Sequence, residues 1–93
     1  MAKTFKLQIV TQEKVAFDGD IESLVVPAEN GYLGVLAHHA PLLAALTHGR
    51  VTVDTGLRTL EGEVNDGFIE VQNNTATILT SDISGDFAKN AAN

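Results

Sequence analysis

Apolar and polar residues alternate in short segments along this chain, and turn-forming residues separate the segments. Over Phe5–Val10 the alternation has a period of two, which places Phe5, Leu7 and Ile9 on one side of an extended chain. Val51–Asp54 repeats the pattern. Because side chains on a β-strand point alternately to the two faces of a sheet, each segment predicts a strand with one buried row. The turn signals recur roughly every eight to twelve positions, which is typical of all-β sandwiches and barrels.

Three pairs of turn-forming residues mark the predicted ends of strands. Asp18-Gly19 follows the short segment Lys14–Phe17, and Asp66-Gly67 follows Leu57–Val64. Asp-Gly pairs suit tight turns because glycine adopts positive φ without steric cost. Asn73-Asn74 suits the same kind of turn, since asparagine also tolerates positive φ. We therefore expect a tight turn at Asp18-Gly19 and hairpins at the other two pairs.

Two segments depart from the alternation. Ala40–Leu46 has a proline near its start and several leucines and alanines, which favour about two turns of helix. Because so short a helix is marginal, we predict a strand there, partly on the resemblance described below. Ser84–Asn93 is polar apart from Phe87 and some alanines. We predict a β-sandwich over residues 1–83 and a tail over residues 84–93, either disordered or a short helical stub.

Length and composition limit the class of protein. The 93 residues fit one domain with one core, and the hydrophobic share of 44% suits a globular fold. The absence of cysteine excludes disulfides and thiolate zinc sites. A net charge of −6 opposes binding to nucleic acid or to anionic lipid. No apolar run approaches the ~20 residues of a membrane span, so we expect a soluble, cytoplasmic protein.

The histidines are the first candidates for chemistry. His38, His39 and His48, with a carboxylate such as Glu29, carry groups that bind zinc. Adjacent side chains on a strand point to opposite faces, so His38 and His39 are poorly placed to share a metal ion. We expect no catalytic residue, no cofactor and no metal site. A small metal-binding or hydrolytic β-sandwich protein built around the three histidines remains the alternative.

The glycines and a central apolar stretch point to protein contacts. No Gly-x-x-x-x-Gly-Lys phosphate loop occurs, and Gly34 within a strand pattern indicates a bulge or the close approach of another backbone. Apolar and aromatic residues concentrate between Tyr32 and Leu43. If some of them are exposed, they mark a protein–protein contact; the alternative is that all fill the core. Exposed edge strands also leave self-association open.

An ordered series of segments resembles the epsilon subunit of F-type ATP synthases. The series runs from Thr4 to Asp82, nearly the whole chain, and no single motif in it is decisive. Its strongest part is Gly31–Leu36, followed by His39–Leu43. The other parts are Thr4–Thr11, Glu13, Phe17–Gly19, Ile21–Ser23, Val25–Pro27, Leu46, Gly49, Gly67–Val71, Asn74 and Thr77–Leu79.

The resemblance implies a flattened antiparallel β-sandwich of about ten strands with a mechanical function. In this family the domain links the gamma subunit to the c-ring, and the three turn together as the rotor. The resemblance therefore implies a non-catalytic central-stalk subunit of a proton-translocating ATP synthase. It also implies a peripheral location on the cytoplasmic face of the bacterial inner membrane, with membrane contact only through the c-ring.

The resemblance also implies two interfaces. Thr11, His39 and Ala44 match positions that face gamma, and Leu42 and Leu43 beside them are expected to supply apolar area or support to the same interface. The loop that matches the c-ring contact consists of Glu29, Asn30, Gly31 and Tyr32. The family often has Glu at the position of Tyr32, so we expect Glu29 or the Tyr32 hydroxyl to replace that contact. His38 stands where the family usually has Gly, so we expect the turn before His39 to differ.

Many family members continue into a C-terminal helical hairpin that can inhibit ATP hydrolysis and in some members binds ATP. Ser84–Asn93 would span only ~15 Å if it were wholly helical. We therefore expect neither inhibition by a helical hairpin nor an ATP site in this chain.

Overall fold

The computed structural model describes residues 3–88, and β-strands make up most of them. The predicted all-β fold is confirmed, with nine strands where about ten were expected. A short 3₁₀ turn, Gly85–Phe87, follows the last strand. The strands are β1 (Phe5–Val10), β2 (Val15–Ile21), β3 (Ser23–Ala28), β4 (Gly31–Leu36), β5 (Leu42–Leu46), β6 (Gly49–Asp54), β7 (Thr59–Val64), β8 (Gly67–Gln72) and β9 (Thr75–Leu79).

Hydrogen bonds join the strands into one curled sheet with two halves. The half that we call the first sheet has the order β2-β1-β9-β8-β5, and the second sheet has the order β4-β3-β6-β7. Neighbouring strands are antiparallel except for β1 and β9. The halves join where Ala28 at the end of β3 pairs with Leu46 at the end of β5. The curl brings the apolar faces of both halves together as a β-sandwich.

One hydrophobic core lies between the two sheets. Phe5, Leu7 and Ile9 form the predicted inward row of β1 and are buried, so this prediction is confirmed. Leu24 and Val53 of the second sheet join them in the same cluster. The described residues form a flattened body of 32 × 32 × 18 Å. The short dimension fits two sheets about 10 Å apart with side chains on their outer faces.

Both Asp-Gly pairs adopt arrangements that differ from the predictions. β2 runs without a break through Asp18 and Gly19, in register with β1. The predicted turn there is wrong because the ladder with β1 holds the segment extended, and the chain bends at Glu22 instead. The chain does turn at Asp66 and Gly67, where Gly67 has a φ of 128°. However, β7 pairs with β6, and β8 pairs with β5 and β9, so this turn crosses between the two sheets and is not a hairpin.

Two other local predictions are confirmed. Leu42–Leu46 is strand β5, because its ladder with β8 overrides the helical propensity of Leu and Ala. Asn73 and Asn74 have φ values of 52° and 57° and join β8 to β9 in a hairpin. Glu29 and Asn30 form a two-residue turn between β3 and β4.

The segment after β9 covers the free side of β7, and we call this side of the sandwich the closed edge. The Ser84 N–H donates to the carbonyl oxygen of Glu63 over 3.1 Å. The carboxylate of Asp86 accepts a hydrogen bond of 2.9 Å from the N–H of Glu61. Two of the backbone groups that the edge strand β7 would otherwise expose, the N–H of Glu61 and the carbonyl of Glu63, are therefore bonded within the chain.

Phe87 fills the space behind this segment. Its side chain is 1% exposed and packs edge to face on Phe17 of β2, with ring centroids 6.0 Å apart. Gly62 of β7 leaves room for the ring, since a Cβ atom there would lie 2.7 Å from Phe87 Cδ2. The division predicted between residues 83 and 84 stays a prediction, and residues 89–93 of the predicted tail lie outside the described residues.

Candidate partner-binding surfaces

Apolar side chains form a row across the outer face of the first sheet. Val15 on β2, Phe68 on β8 and Leu79 on β9 belong to this row and are 52–54% exposed. Leu43 lies next to the row on β5 and is 72% exposed. Because the row follows the registers of five strands, it is continuous. We call the row and Leu43 together the apolar stripe, which consists of Val15, Val10, Leu79, Phe68, Ala45 and Leu43.

The rest of the same face is polar. Two residues away from the row along β1 and β9, Gln8 pairs with Thr77. Lys6 of β1 forms an ion pair with Asp18 of β2, with Nζ 3.9 Å from Oδ1. The outer face of the second sheet is also charged at β6 and β7, where Arg50 forms an ion pair with Glu61. Solvated pairs of this kind contribute little to stability and are ordinary for a protein surface. The apolar stripe is therefore a local feature of one end of the first sheet.

The five residues predicted to face gamma occupy four environments. Leu43 is exposed on the apolar stripe. Leu42 and Ala44 are partly buried and pack against the core. Thr11 follows β1 beside the stripe, and its hydroxyl bonds the turn between β1 and β2. His39 is partly buried in the loop between β4 and β5. Leu43 is thus the member of this set with a large exposed apolar side chain.

The four residues predicted to meet the c-ring form the turn between β3 and β4 and the start of β4. All four are exposed, and Tyr32 is 63% exposed. A groove of about 520 Å³ separates this turn from β5, with residues 28–33 on one side and residues 42–45 on the other. The two predicted interfaces therefore border one groove.

Tyr32 and His38, the two residues that depart from the family pattern, both form hydrogen bonds within the domain. The Tyr32 hydroxyl accepts a hydrogen bond of 3.1 Å from the N–H of Arg50, so it has a partner within the domain. Of the two groups expected to replace the charged contact, Glu29 is therefore the one that supplies a charge in this turn. His38 has a φ of 64°, a conformation that glycine adopts more easily than any other residue. Its N–H donates to Asn74 Oδ1 over 2.7 Å, which holds the strained turn in place.

The histidines do not assemble into a site. His48 Nδ1 lies 2.7 Å from Asn65 Oδ1, and His39 Nδ1 lies 2.7 Å from the carbonyl oxygen of Ala40. Across residues 3–88, no group of three His, Cys, Asp or Glu side chains is arranged to hold a metal ion. The alternative function built on His38, His39 and His48 therefore has no geometric support in that part of the chain. Nor does any helix in the same range have the length and apolar character needed to cross a membrane.

The sequence predictions missed most of the apolar stripe. Val10, Val15, Phe68 and Leu79 were not assigned to an interface. A signal for them exists, because each lies on the polar side of an alternating strand, as Phe68 does beside the buried Ile69. The pattern alone does not show that these residues align across five strands.

Comparison with known proteins identifies the family. Residues 4–85 match the family model "ATP synthase, Delta/Epsilon chain, beta-sandwich domain". The chain is 44% identical over 79 residues to an ATP synthase epsilon chain of Desulforamulus reducens, and this match covers 85% of the chain and 60% of that relative. It is 43% identical over 83 residues to an ATP synthase epsilon chain of Chlorobaculum tepidum, covering 88% of the chain and 94% of that relative.

The fold is also similar to that of a solved structure. A chain in the Euglena gracilis mitochondrial ATP synthase, in a structure of OSCP, F1 and the c-ring, aligns with a TM-score of 0.83 at 20% identity. The alignment covers 88% of this chain and 53% of that chain. At this identity the likeness concerns the fold. The match of the family model over residues 4–85, together with the two epsilon-chain relatives, shows that this chain belongs to the family of ATP synthase delta and epsilon chains.

Proposed function

We propose that the chain is a non-catalytic rotor subunit in the central stalk of a proton-translocating F-type ATP synthase. It links the gamma subunit to the c-ring and so helps to couple proton flow to ATP synthesis. Its place is peripheral, on the cytoplasmic face of a bacterial inner membrane, and it meets the membrane only through the c-ring. The epsilon-chain relatives support this function, as do central-stalk and c-ring structures that contain a domain of the same fold.

The apolar stripe is the observation that carries the proposal. Its exposed members lie on one sheet face whose other rows are polar, so they form a defined patch. Burying a large apolar side chain at an interface stabilises a complex by about 1.5–3 kcal/mol. Aromatic residues near the centre of an interface commonly contribute most. Phe68 lies within the row, between Leu79 and Ala45, and is therefore the anchor that we assign to the gamma interface.

The groove beside β5 supports a second contact next to the first. The exposed turn around Glu29 and Asn30 is polar, as expected for a surface that meets polar loops of another protein. Leu43 borders the same groove and also belongs to the apolar stripe. We assign the stripe to gamma and the turn to the c-ring. Torque passing from the ring to gamma would then cross only a short distance through the domain.

The test is calorimetric titration of this chain with purified gamma subunit. Phe68→Asp places a charge in the stripe, and we expect it to raise the Kd by about 10- to 100-fold. Leu57→Asp is the matched control, because Leu57 is 95% exposed in the turn between β6 and β7 and receives the same charge. We expect this control to change the Kd by less than about 2-fold, as is usual for surface substitutions away from an interface.

Circular dichroism of each variant establishes that it is folded. Tight binding by wild type that Phe68→Asp weakens and Leu57→Asp does not would support the proposal. If folded wild-type protein does not bind competent gamma, the proposed function is wrong. If folded Phe68→Asp binds as tightly as wild type, the stripe is not the gamma interface.

A further inference from the structure

Asn30 is the one asparagine of this chain that a glycine follows. The pair lies at the turn between β3 and β4, where both residues are exposed. Gly31 has a φ of 124°, and a Cβ atom built on it would meet nothing within 4 Å. The backbone nitrogen that follows an asparagine can attack its side-chain carbonyl carbon. Glycine favours this attack, because it has no side chain to obstruct ring closure and its backbone is conformationally free.

The Asn30 side chain is unrestrained by hydrogen bonds, whereas two other asparagine side chains are held. Asn74 Oδ1 accepts from the N–H of His38 over 2.7 Å, and Asn74 Nδ2 donates a second bond of 3.1 Å to a backbone carbonyl. Asn65 Oδ1 lies 2.7 Å from His48 Nδ1. Among residues 3–88, the Asn30 amide has no such partner. Its Cγ atom can therefore turn toward the following backbone nitrogen.

The turn at Asn30 is also held by fewer neighbours than the hairpin at Asn73-Asn74. Within the described residues β4 pairs with β3 alone, whereas β8 and β9 each pair with strands on both sides. The Glu29 N–H donates to the carbonyl oxygen of Ala45 over 3.2 Å. In the same part of the chain, no backbone bond outside the β3–β4 ladder holds Asn30 or Gly31. Segments with few contacts open locally at low cost in free energy, and such opening frees the Gly31 nitrogen.

We propose that Asn30 is a site of spontaneous deamidation. The Gly31 backbone nitrogen gives its proton to solvent and attacks Asn30 Cγ, and the new N–Cγ bond closes a five-membered succinimide ring. The Cγ–Nδ2 bond breaks, and the side-chain nitrogen takes up a proton and leaves as ammonia. Water then opens the ring at one of its two carbonyl carbons. Opening at the backbone carbonyl gives isoaspartate, and opening at Cγ gives aspartate. Water is the co-reactant, and no group is oxidised or reduced.

Both products change the turn that we assign to the c-ring. Each adds a negative charge at position 30 to a chain whose net charge is already −6. Isoaspartate also adds a carbon atom to the main chain, which disturbs the pairing of Ala28 with Gly31 at the end of the ladder. The reaction requires only the free chain, so this proposal does not depend on the proposed function.

Peptide mapping by mass spectrometry tests the proposal on the wild-type chain after increasing times in neutral buffer. Digestion at acidic pH, where deamidation is slow, preserves the products, and fragmentation assigns each one to a residue. Asn73 is the matched internal control, because it is also exposed at a two-residue turn but is followed by a residue with a side chain. We expect Asn30 to convert at least about 10-fold faster than Asn73, a difference of about 1.4 kcal/mol in activation free energy. We also expect isoaspartate among the products, and no early conversion in Asn30→Gln.

Three results would overturn the proposal. The first is an Asn30 that converts no faster than Asn73 in the folded chain. The second is an early product that persists in Asn30→Gln, which would place the reaction at another residue. The third is conversion of Asn30 in the urea-unfolded chain but not in the folded chain, which would show that the turn protects it. Binding to gamma is measured separately, so a failure here is distinct from a failure of the proposed function.

Discussion

The two edges of the sandwich are built in opposite ways. At the closed edge, Ser84 and Asp86 bond the free side of β7, and Phe87 fills the core behind them. At the other edge, β4 keeps unpaired backbone groups, and a groove of about 520 Å³ opens between β4 and β5. Leu43 at that groove is 72% exposed, whereas Phe87 is 1% exposed.

The difference separates residues that stabilise the domain from residues that are available to partners. At the closed edge, polar groups are hydrogen-bonded and apolar side chains are buried within the chain. Substitutions there are therefore expected to change the free energy of unfolding. The edge at β4, which we call the open edge, and the adjoining apolar stripe have exposed side chains that make few contacts within the chain. Substitutions on that side are expected to change association with other chains and to leave the stability of the isolated domain nearly unchanged.

The largest effect is expected for Phe87→Ala. Removing a fully buried aromatic ring costs about 3–5 kcal/mol, because both the transfer energy and the cavity contribute. Urea unfolding followed by circular dichroism measures this change. A loss below about 1 kcal/mol would mean that the segment after β9 is not part of the folded core.

Gly62→Ala is expected to have a smaller effect of the same sign. Its Cβ atom would meet the backbone carbonyl of Ser84 and would lie 2.7 Å from Phe87 Cδ2, so the covering segment would have to move. Overpacking of this kind typically costs about 1–3 kcal/mol. The same urea titration measures it. Unchanged stability would contradict the close packing of the closed edge.

Gly34→Ala, the matched change at the open edge, is expected to have the smallest effect and the opposite sign. Nothing lies within 4 Å of the added methyl group, and the backbone has no positive φ. Replacing such a glycine restricts the unfolded chain and stabilises the protein by about 0.4–1 kcal/mol. Urea unfolding followed by circular dichroism measures this change. A clear loss of stability would show that Gly34 has a structural role within the domain.

Local patterns in the sequence predicted the parts of the fold that depend on local physics. The inward row Phe5, Leu7 and Ile9 follows from alternation alone, and the Asn73-Asn74 hairpin follows from the tolerance of asparagine for positive φ. The strand assignment of Leu42–Leu46 went against local propensity and rested on the marginal stability of so short a helix and partly on the family resemblance. These predictions concern residues close together in the chain.

Predictions that depended on distant partners were wrong or incomplete. Asp18-Gly19 stays extended because β1 pairs with it, and Asp66-Gly67 joins two strands that belong to different sheets. Most of the apolar stripe was also missed, since alternation shows that Phe68 points outward but not that Leu79 lies beside it. Register between strands is a property of the whole sheet and cannot be obtained from one segment.

The most direct test of the central claim is to map the gamma interface on the isotope-labelled chain by NMR. We predict that unlabelled gamma changes the amide signals of the apolar stripe, above all those of Leu43, Phe68 and Leu79, with smaller changes in the turn around Glu29. The outer face of β6 and β7, with Thr52 and Glu61, serves as the internal control and should not change. Changes confined to Thr52 and Glu61, with the stripe unaffected, would contradict the account.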